Sequence, residues 1–142
     1  MSLNTRQYEN ALRRALGQQS EDVRRAIVQT GVDVQNDARQ RCPVDTGRLR
    51  SSIVHRTDGS GRVTGVVVGT NVSYAADVEY GTAPHVIVPV NKKALYWPGA
   101  SHPVSRVNHP GTRAQPFMRP ALELAPIFFS RNIDRIRAGR GR

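Results

Sequence analysis

From Tyr8 to Leu16 the apolar residues Tyr8, Ala11, Leu12, Ala15 and Leu16 recur at spacings of three and four. This is the helical period, and it predicts a short amphipathic helix that Gly17 interrupts. A second stripe, Val23, Ile27, Val34 and Ala38, follows Ser20, a good N-cap, with Glu21 and Asp22 in the first turn where the helix dipole favours acids. It predicts a long helix over about residues 21–41, stopped by Cys42-Pro43. The opposite face, with Arg24, Arg25, Asp33, Asp37, Arg39 and Arg41, is an ordinary charged surface. With a single apolar stripe, the helix is expected to lie on a sheet.

Beyond the helix the chain changes to short runs punctuated by glycine. Ser52–Thr57 and the valine-rich Arg62–Val68 flank Asp58-Gly59-Ser60-Gly61 and predict an antiparallel hairpin. Ser73 to Tyr80 has a Ser cap and helical spacing of Tyr74, Ala75 and Val78, so a short helix is expected there, ended by Gly81. His85–Val90 and Lys93–Trp97 predict a second hairpin around Asn91-Lys92, with Pro89 demoting its strand to an edge or bulge. Gly, Ser, His, Pro, Asn and Thr dominate Pro98 to Pro116, the texture of a long loop. Pro116 can open a last helix carrying Phe117, Met118, Ala121, Leu122, Ala125, Ile127, Phe128, Ile133 and Ile136, which Pro126 kinks or divides. No internal repeat of fixed period is visible.

Composition narrows the class. At 142 residues the chain is expected to form one domain, with residues 1–19 as a helical extension, 20–125 as its main body and 126–142 as a C-terminal helix and arginine-rich tail. Only 38% of residues are apolar and 6% aromatic, so the core should be modest. Lys and Arg number 21 against 11 acids, a formal charge of +10. Lys92 and Lys93 are the only lysines. The positive balance is spread evenly, but the tail from residue 126 holds five arginines and one acid. Arg131, Arg135, Arg137, Arg140 and Arg142 either cap a solvated helix end, where cations suit the dipole, or form an arm touching a nucleic-acid backbone or an acidic partner. This balance points to binding or assembly rather than small-molecule chemistry. No run approaches a membrane span, and Met1-Ser2-Leu3-Asn4-Thr5-Arg6 is not an apolar signal stretch, so a soluble protein made in the cytoplasm is expected.

Catalytic or metal chemistry has little to stand on. One cysteine, Cys42, allows no internal disulfide and no thiolate zinc cluster, and its place at the end of an apolar stripe reads as a buried inert thiol. His85, His102 and His109 would converge on a metal only if the loop folded over the second hairpin, and with His55 their spacing matches no ligand pattern. The glycines at 59, 61, 65 and 69 form no phosphate loop. Asp45, Asp58, Asp77, Glu79 and Glu123 would give a carboxylate pair only if two met in a cleft. No cofactor and no enzyme activity are expected.

Three segments stand out. In Pro43-Val44-Asp45-Thr46-Gly47-Arg48-Leu49-Arg50-Ser51-Ser52-Ile53, Asp45 or Thr46 can bond its own backbone and Gly47 permits a turn, which predicts a structured corner. In Tyr74-Ala75-Ala76-Asp77-Val78-Glu79-Tyr80-Gly81-Thr82, the short helix leaves Glu79 to pair with an arginine such as Arg48. In Ala114-Gln115-Pro116-Phe117-Met118-Arg119-Pro120-Ala121-Leu122, prolines bracket a helix start that Phe117 anchors. Each also has a purely architectural reading.

In this order, with Val68-Gly69-Thr70-Asn71 before the second, the three segments resemble the tail-component family of lambdoid siphophages over about residues 20–125. Members of that family are head-tail joining or tail-completion proteins. His85 to Trp97 with His109-Pro110-Gly111-Thr112 is similar to the version carrying a long loop before its final helix. The resemblance implies a non-catalytic virion component of α+β fold, with a long N-terminal helix on a small, mostly antiparallel sheet of hairpins. It further implies a homo-oligomeric ring at the neck, beside portal-side and tail-tube proteins, around passing DNA. Six copies would match a tail tube and twelve a portal. The motif residues Val44, Asp45, Thr46, Gly47, Arg48, Leu49, Tyr74, Glu79, Gly81, Thr82, Pro116, Phe117, Arg119 and Pro120 are then the expected interfaces, and the loop from Pro98 to Gln115 is expected to reach a neighbour. The alternative is a basic nucleic-acid-binding protein without catalytic activity, although no helix-turn-helix, RNA-recognition or basic-zipper signature is present.

Overall fold

A computed structural model describes residues 5–58 and 65–141. The chain is α+β and divides into two compact units, residues 1–71 with 117–142, and residues 72–116.

The first unit is organised by α1, Thr5–Arg41, a single helix of 37 residues and about 55 Å. Two helices broken at Gly17 were expected; instead the helix runs through. Gly17 costs only about 1 kcal/mol relative to alanine. Strong helix formers flank it (Leu12, Arg13, Arg14, Ala15, Leu16, Gln18, Gln19), so Ser20 is an interior residue rather than a cap. The stripe Tyr8 to Leu16 has side chains outside the described residues. The buried stripe is Asp22, Ala26, Gly31, Val34 and Ala38, and it continues to Cys42. Val23, expected on it, is exposed. Small residues set the seam because the sheet comes so close: a methyl group on Gly31 would collide with the side chain of Val66.

After Pro43 the chain turns at Gly47, whose φ of 81° suits glycine, and enters the short α2, Arg48–Ser52. Arg39 of the charged face donates twice to the Ile53 carbonyl, at 3.0 and 2.6 Å, and Arg50 of α2 donates to the Cys42 carbonyl at 3.2 Å, so one arginine from each helix holds the corner. The strands β1, Val54–Asp58, and β2, Gly65–Gly69, pair antiparallel with Val54 opposite Gly69 and Asp58 opposite Gly65. The expected hairpin is therefore present, starting later because Arg48–Ser52 takes helical geometry; its turn at Gly59-Ser60-Gly61 lies outside the described residues. Gln35 Oε1 accepts from the His55 main-chain N–H at 2.9 Å and lies 2.8 Å from His55 Nδ1, which ties β1 to α1.

The C-terminal segment forms α4, Met118–Glu123, and α5, Ala125–Ala138, divided at Leu124 with Pro126 in the first turn of α5. Asn132 donates to Asp33 at 2.8 Å and to the Thr30 hydroxyl at 3.4 Å, while Arg140 pairs with Asp22. Thus α5 runs antiparallel along α1. Leu49, Ile53, Phe117, Ala121 and Ile133 join Ala26, Val34, Ala38 and Cys42 as the buried apolar residues of this unit.

The second unit holds α3, Ala75–Tyr80, and two strands, β3, His85–Ile87, and β4, Val107–His109. Here the sequence expectation needs correcting. The strand beginning at His85 does not pair with Lys93–Trp97 across Asn91-Lys92. It pairs with Val107–His109, inside the stretch read as loop, with His85 opposite His109 and Ile87 opposite Val107. Bridges Thr82↔Thr112 below and Leu95↔Val104 above extend the same antiparallel course. Residues 82–112 therefore form one long hairpin arm. Between Ile87 and Leu95 the outgoing strand has more residues than the return strand between Val104 and Val107, so Val88–Ala94 bulges out and Asn91-Lys92 sits in the bulge. The true reversal is Trp97-Pro98-Gly99-Ala100, where Ala100 N–H donates to the Trp97 carbonyl at 2.9 Å and Gly99 has φ 96°. Proline then glycine at the centre is what a type II turn asks for.

Candidate functional site

Cys42 and the histidines, where the sequence gives chemistry little to stand on, make structural contacts. Cys42 is buried, its Sγ 3.4 Å from the Pro43 carbonyl, and burial pushes its thiol pKa up against the opposing pull of Arg50. Of the three histidines considered together, His85 and His109 meet across the arm with ring centroids 4.9 Å apart. His85 Nδ1 bonds the Ala83 carbonyl at 2.9 Å, and His109 Nδ1 accepts from Gly111 N–H at 3.1 Å. His102 bonds Ser101 instead, at 3.1 Å, and among the described residues no three His, Cys, Asp or Glu side chains form a group able to hold a metal.

The motif residues divide between the units. Val44, Asp45, Thr46 and Arg48 lie exposed around the Gly47 corner, with Thr46 Oγ1 accepting from Arg48 N–H at 3.4 Å, while Leu49 drops into the core. Ser52 Oγ lies 2.5 Å from Thr70 Oγ1, tying the end of this motif to Thr70 after β2. In the second unit Tyr74 is exposed and Glu79 is buried at 7% exposure. Gly81 ends α3 with φ 73°, and Thr82 makes the first bridge of the arm. Pro116 is exposed, Phe117 is almost wholly buried, Pro120 is partly buried, and exposed Arg119 lies 3.8 Å from Glu123 one turn on. The first and third segments are thus fixed by core residues, Leu49 and Phe117, and show polar neighbours outward.

The arginine tail is partly committed inside the chain. Arg131 lies 3.3 Å from Asp33 and 5.1 Å from the centre of the Phe128 ring, and Arg140 pairs with the buried carboxylate of Asp22. Arg135 and Arg137 are exposed on α5, and Arg142 lies outside the described residues. Sequence reasoning missed these pairings because Asp22 reads as an ordinary first-turn acid. It missed the arm as well, although Pro98-Gly99 was its turn signal.

Large apolar side chains are exposed as well. Val54 and Val67 are exposed on the hairpin of the first unit, and Leu122 and Ile127 on its C-terminal helices. In the second unit Tyr80, Val88, Val90, Tyr96 and Trp97 are exposed. Residues 6–81 match the protein family described as "Bacteriophage HK97-gp10, putative tail-component". The chain belongs to this phage tail-component family. Membership makes it a bacteriophage tail-related structural protein, hence a component of the virion that meets other virion proteins. The match takes in most of the N-terminal stretch that the resemblance leaves outside, and it ends at Gly81, before the Pro116–Pro120 segment. No match was found among curated proteins or among solved structures. No helix among the described residues is long and apolar enough to cross a membrane.

Proposed function

We propose that this tail component is a non-catalytic head-tail connector or tail-completion protein, forming a homo-oligomeric ring at the neck through which DNA passes. The observation that carries the reading is the family match over residues 6–81. Physical chemistry supports it. The modest core leaves Val54, Val67, Leu122 and Ile127 for neighbouring subunits to cover, and a subunit gains stability when such faces are buried. The net charge of +10 suits a channel passing a polyanion, with exposed Arg135 and Arg137 available to phosphates.

The test is loss of function in the phage that encodes the chain. Infection without it should yield filled heads and separate tails, with plasmid-borne protein restoring joined particles. Intact, infectious particles made in its absence would overturn the proposal.

A further inference from the structure

We propose that the hairpin arm, residues 82–112, is a docking arm whose receiver is a different virion protein, presenting an apolar groove edged with carboxylates. The inference rests on the tail-component reading and goes beyond it by naming the surface and the chemistry of the partner.

The arm has its own framework of main-chain pairing. It is rooted at the Thr82↔Thr112 bridge, continued by β3 and β4, and closed at Pro98-Gly99. Its distal half carries Val88, Val90, Tyr96 and Trp97 at 56%, 90%, 69% and 47% exposure. Isolated apolar residues on a surface need no explanation. Four within ten positions, two of them the Tyr and Trp that anchor interfaces, do need one.

Charge then selects the partner. From Tyr80 to Leu122 the chain contains no Asp or Glu, and both of its lysines, Lys92 and Lys93, sit in the bulge beside Val90. The complement is an acidic surface. A second copy of the chain supplies it poorly: its net charge is +10, and Glu21, Asp22, Asp33, Asp37 and Glu123 are already paired with arginines, which leaves, among the described residues, exposed Asp45, Asp58, Asp77 and Asp134 against 21 cations. Two arms laid on each other would also bring like charges together. Duplex DNA supplies charge but no apolar groove for Val90 and Trp97. An acidic protein surface answers both features.

The experiment places a photoreactive phenylalanine analogue at Val90 or at Trp97 in the full chain, expressed during infection by phage lacking its own copy, and maps crosslinks in purified particles. The expected product joins the arm to a different virion protein at a peptide rich in Asp and Glu. Lys92→Glu with Lys93→Glu should cut its yield about tenfold, while Lys92→Arg with Lys93→Arg retains it. Trp97→Ala should leave the mass of the purified oligomer unchanged by light scattering. Crosslinks chiefly to a second copy or to DNA, a receiving peptide without acids, or no crosslink in particles that contain the chain would each overturn the proposal. Absence of the unmodified chain from wild-type particles would instead refute the tail-component reading, so the two failures are distinguishable.

Discussion

Thr82 and Thr112 exchange both main-chain hydrogen bonds, at 3.0 and 3.1 Å, and bring their hydroxyls 3.0 Å apart. Each is preceded by a glycine of positive φ, Gly81 at 73° and Gly111 at 85°. A methyl on Gly81 would lie 2.5 Å from the Thr112 carbonyl oxygen, and one on Gly111 would strike that of Thr82. The root of the arm is thus a pair of threonines locked between two glycines that no other residue replaces without strain.

Gly111→Ala should therefore loosen the arm at its base. Strain of this kind costs about 1–3 kcal/mol, which speeds opening by roughly 5- to 150-fold. Amide exchange at Leu95 and Val104, bonded to each other at 2.7 and 3.0 Å, should accelerate accordingly while Ala38 in α1 keeps its protection. Unchanged exchange at Leu95 would show that the clamp does not hold the arm.

Two glycines of α1 should respond in opposite directions to the same substitution. Nothing lies within 4 Å of a methyl placed on Gly17, so Gly17→Ala should stabilise by about 0.5–1 kcal/mol through helix propensity. Gly31→Ala gains the same propensity but drives a methyl into Val66, and overpacking of this kind costs about 1–3 kcal/mol. Thermal melts should rise for the first and fall by several degrees for the second. A fall for Gly17→Ala would contradict the unbroken helix.

Arg140→Ala removes the partner of a carboxylate whose side chain is 5% exposed. Breaking a buried pair costs about 3–5 kcal/mol, and the partly exposed arginine lowers the expectation to about 1–3 kcal/mol. Asp22→Asn combined with Arg140→Ala should recover much of the loss in denaturant melts, because no buried charge is then left alone. Equal loss in the single and double variants would assign the effect to something other than the pair.

Burial raises the pKa of Cys42, so the folded chain favours the neutral thiol more than the unfolded chain does. Its contribution is complete below the ordinary thiol pKa of about 8.5 and is lost as pH rises through the higher folded value. A thiol reagent at pH about 8 should label the native protein at least about tenfold more slowly than the denatured protein. Equal rates would place Cys42 outside the core.

The legible parts of the fold were those set by local period. Val34 and Ala38 announced a helix, and the valines of β2 announced a strand. What failed was local grammar overruled by neighbours. Ser20, Glu21 and Asp22 look like a helix start, yet propensity on both sides of Gly17 carries the helix through, and Asp22 is taken by an arginine 118 positions away. The arm was misread because Val107-Asn108-His109 carries too few β-formers to be seen alone; it becomes a strand through pairing with His85–Ile87. Of the motif residues, Leu49, Phe117 and Gly81 explain their positions by packing or φ. Val44, Asp45 and Tyr74 are exposed, and packing does not explain their positions.

The most direct test of the central claim is an electron cryomicroscopy reconstruction of the native particle with this chain located in it. The account predicts several copies arranged as a closed ring at the junction of head and tail, around the DNA channel. Copies scattered over the capsid, a single copy, or a ring elsewhere on the tail would contradict it.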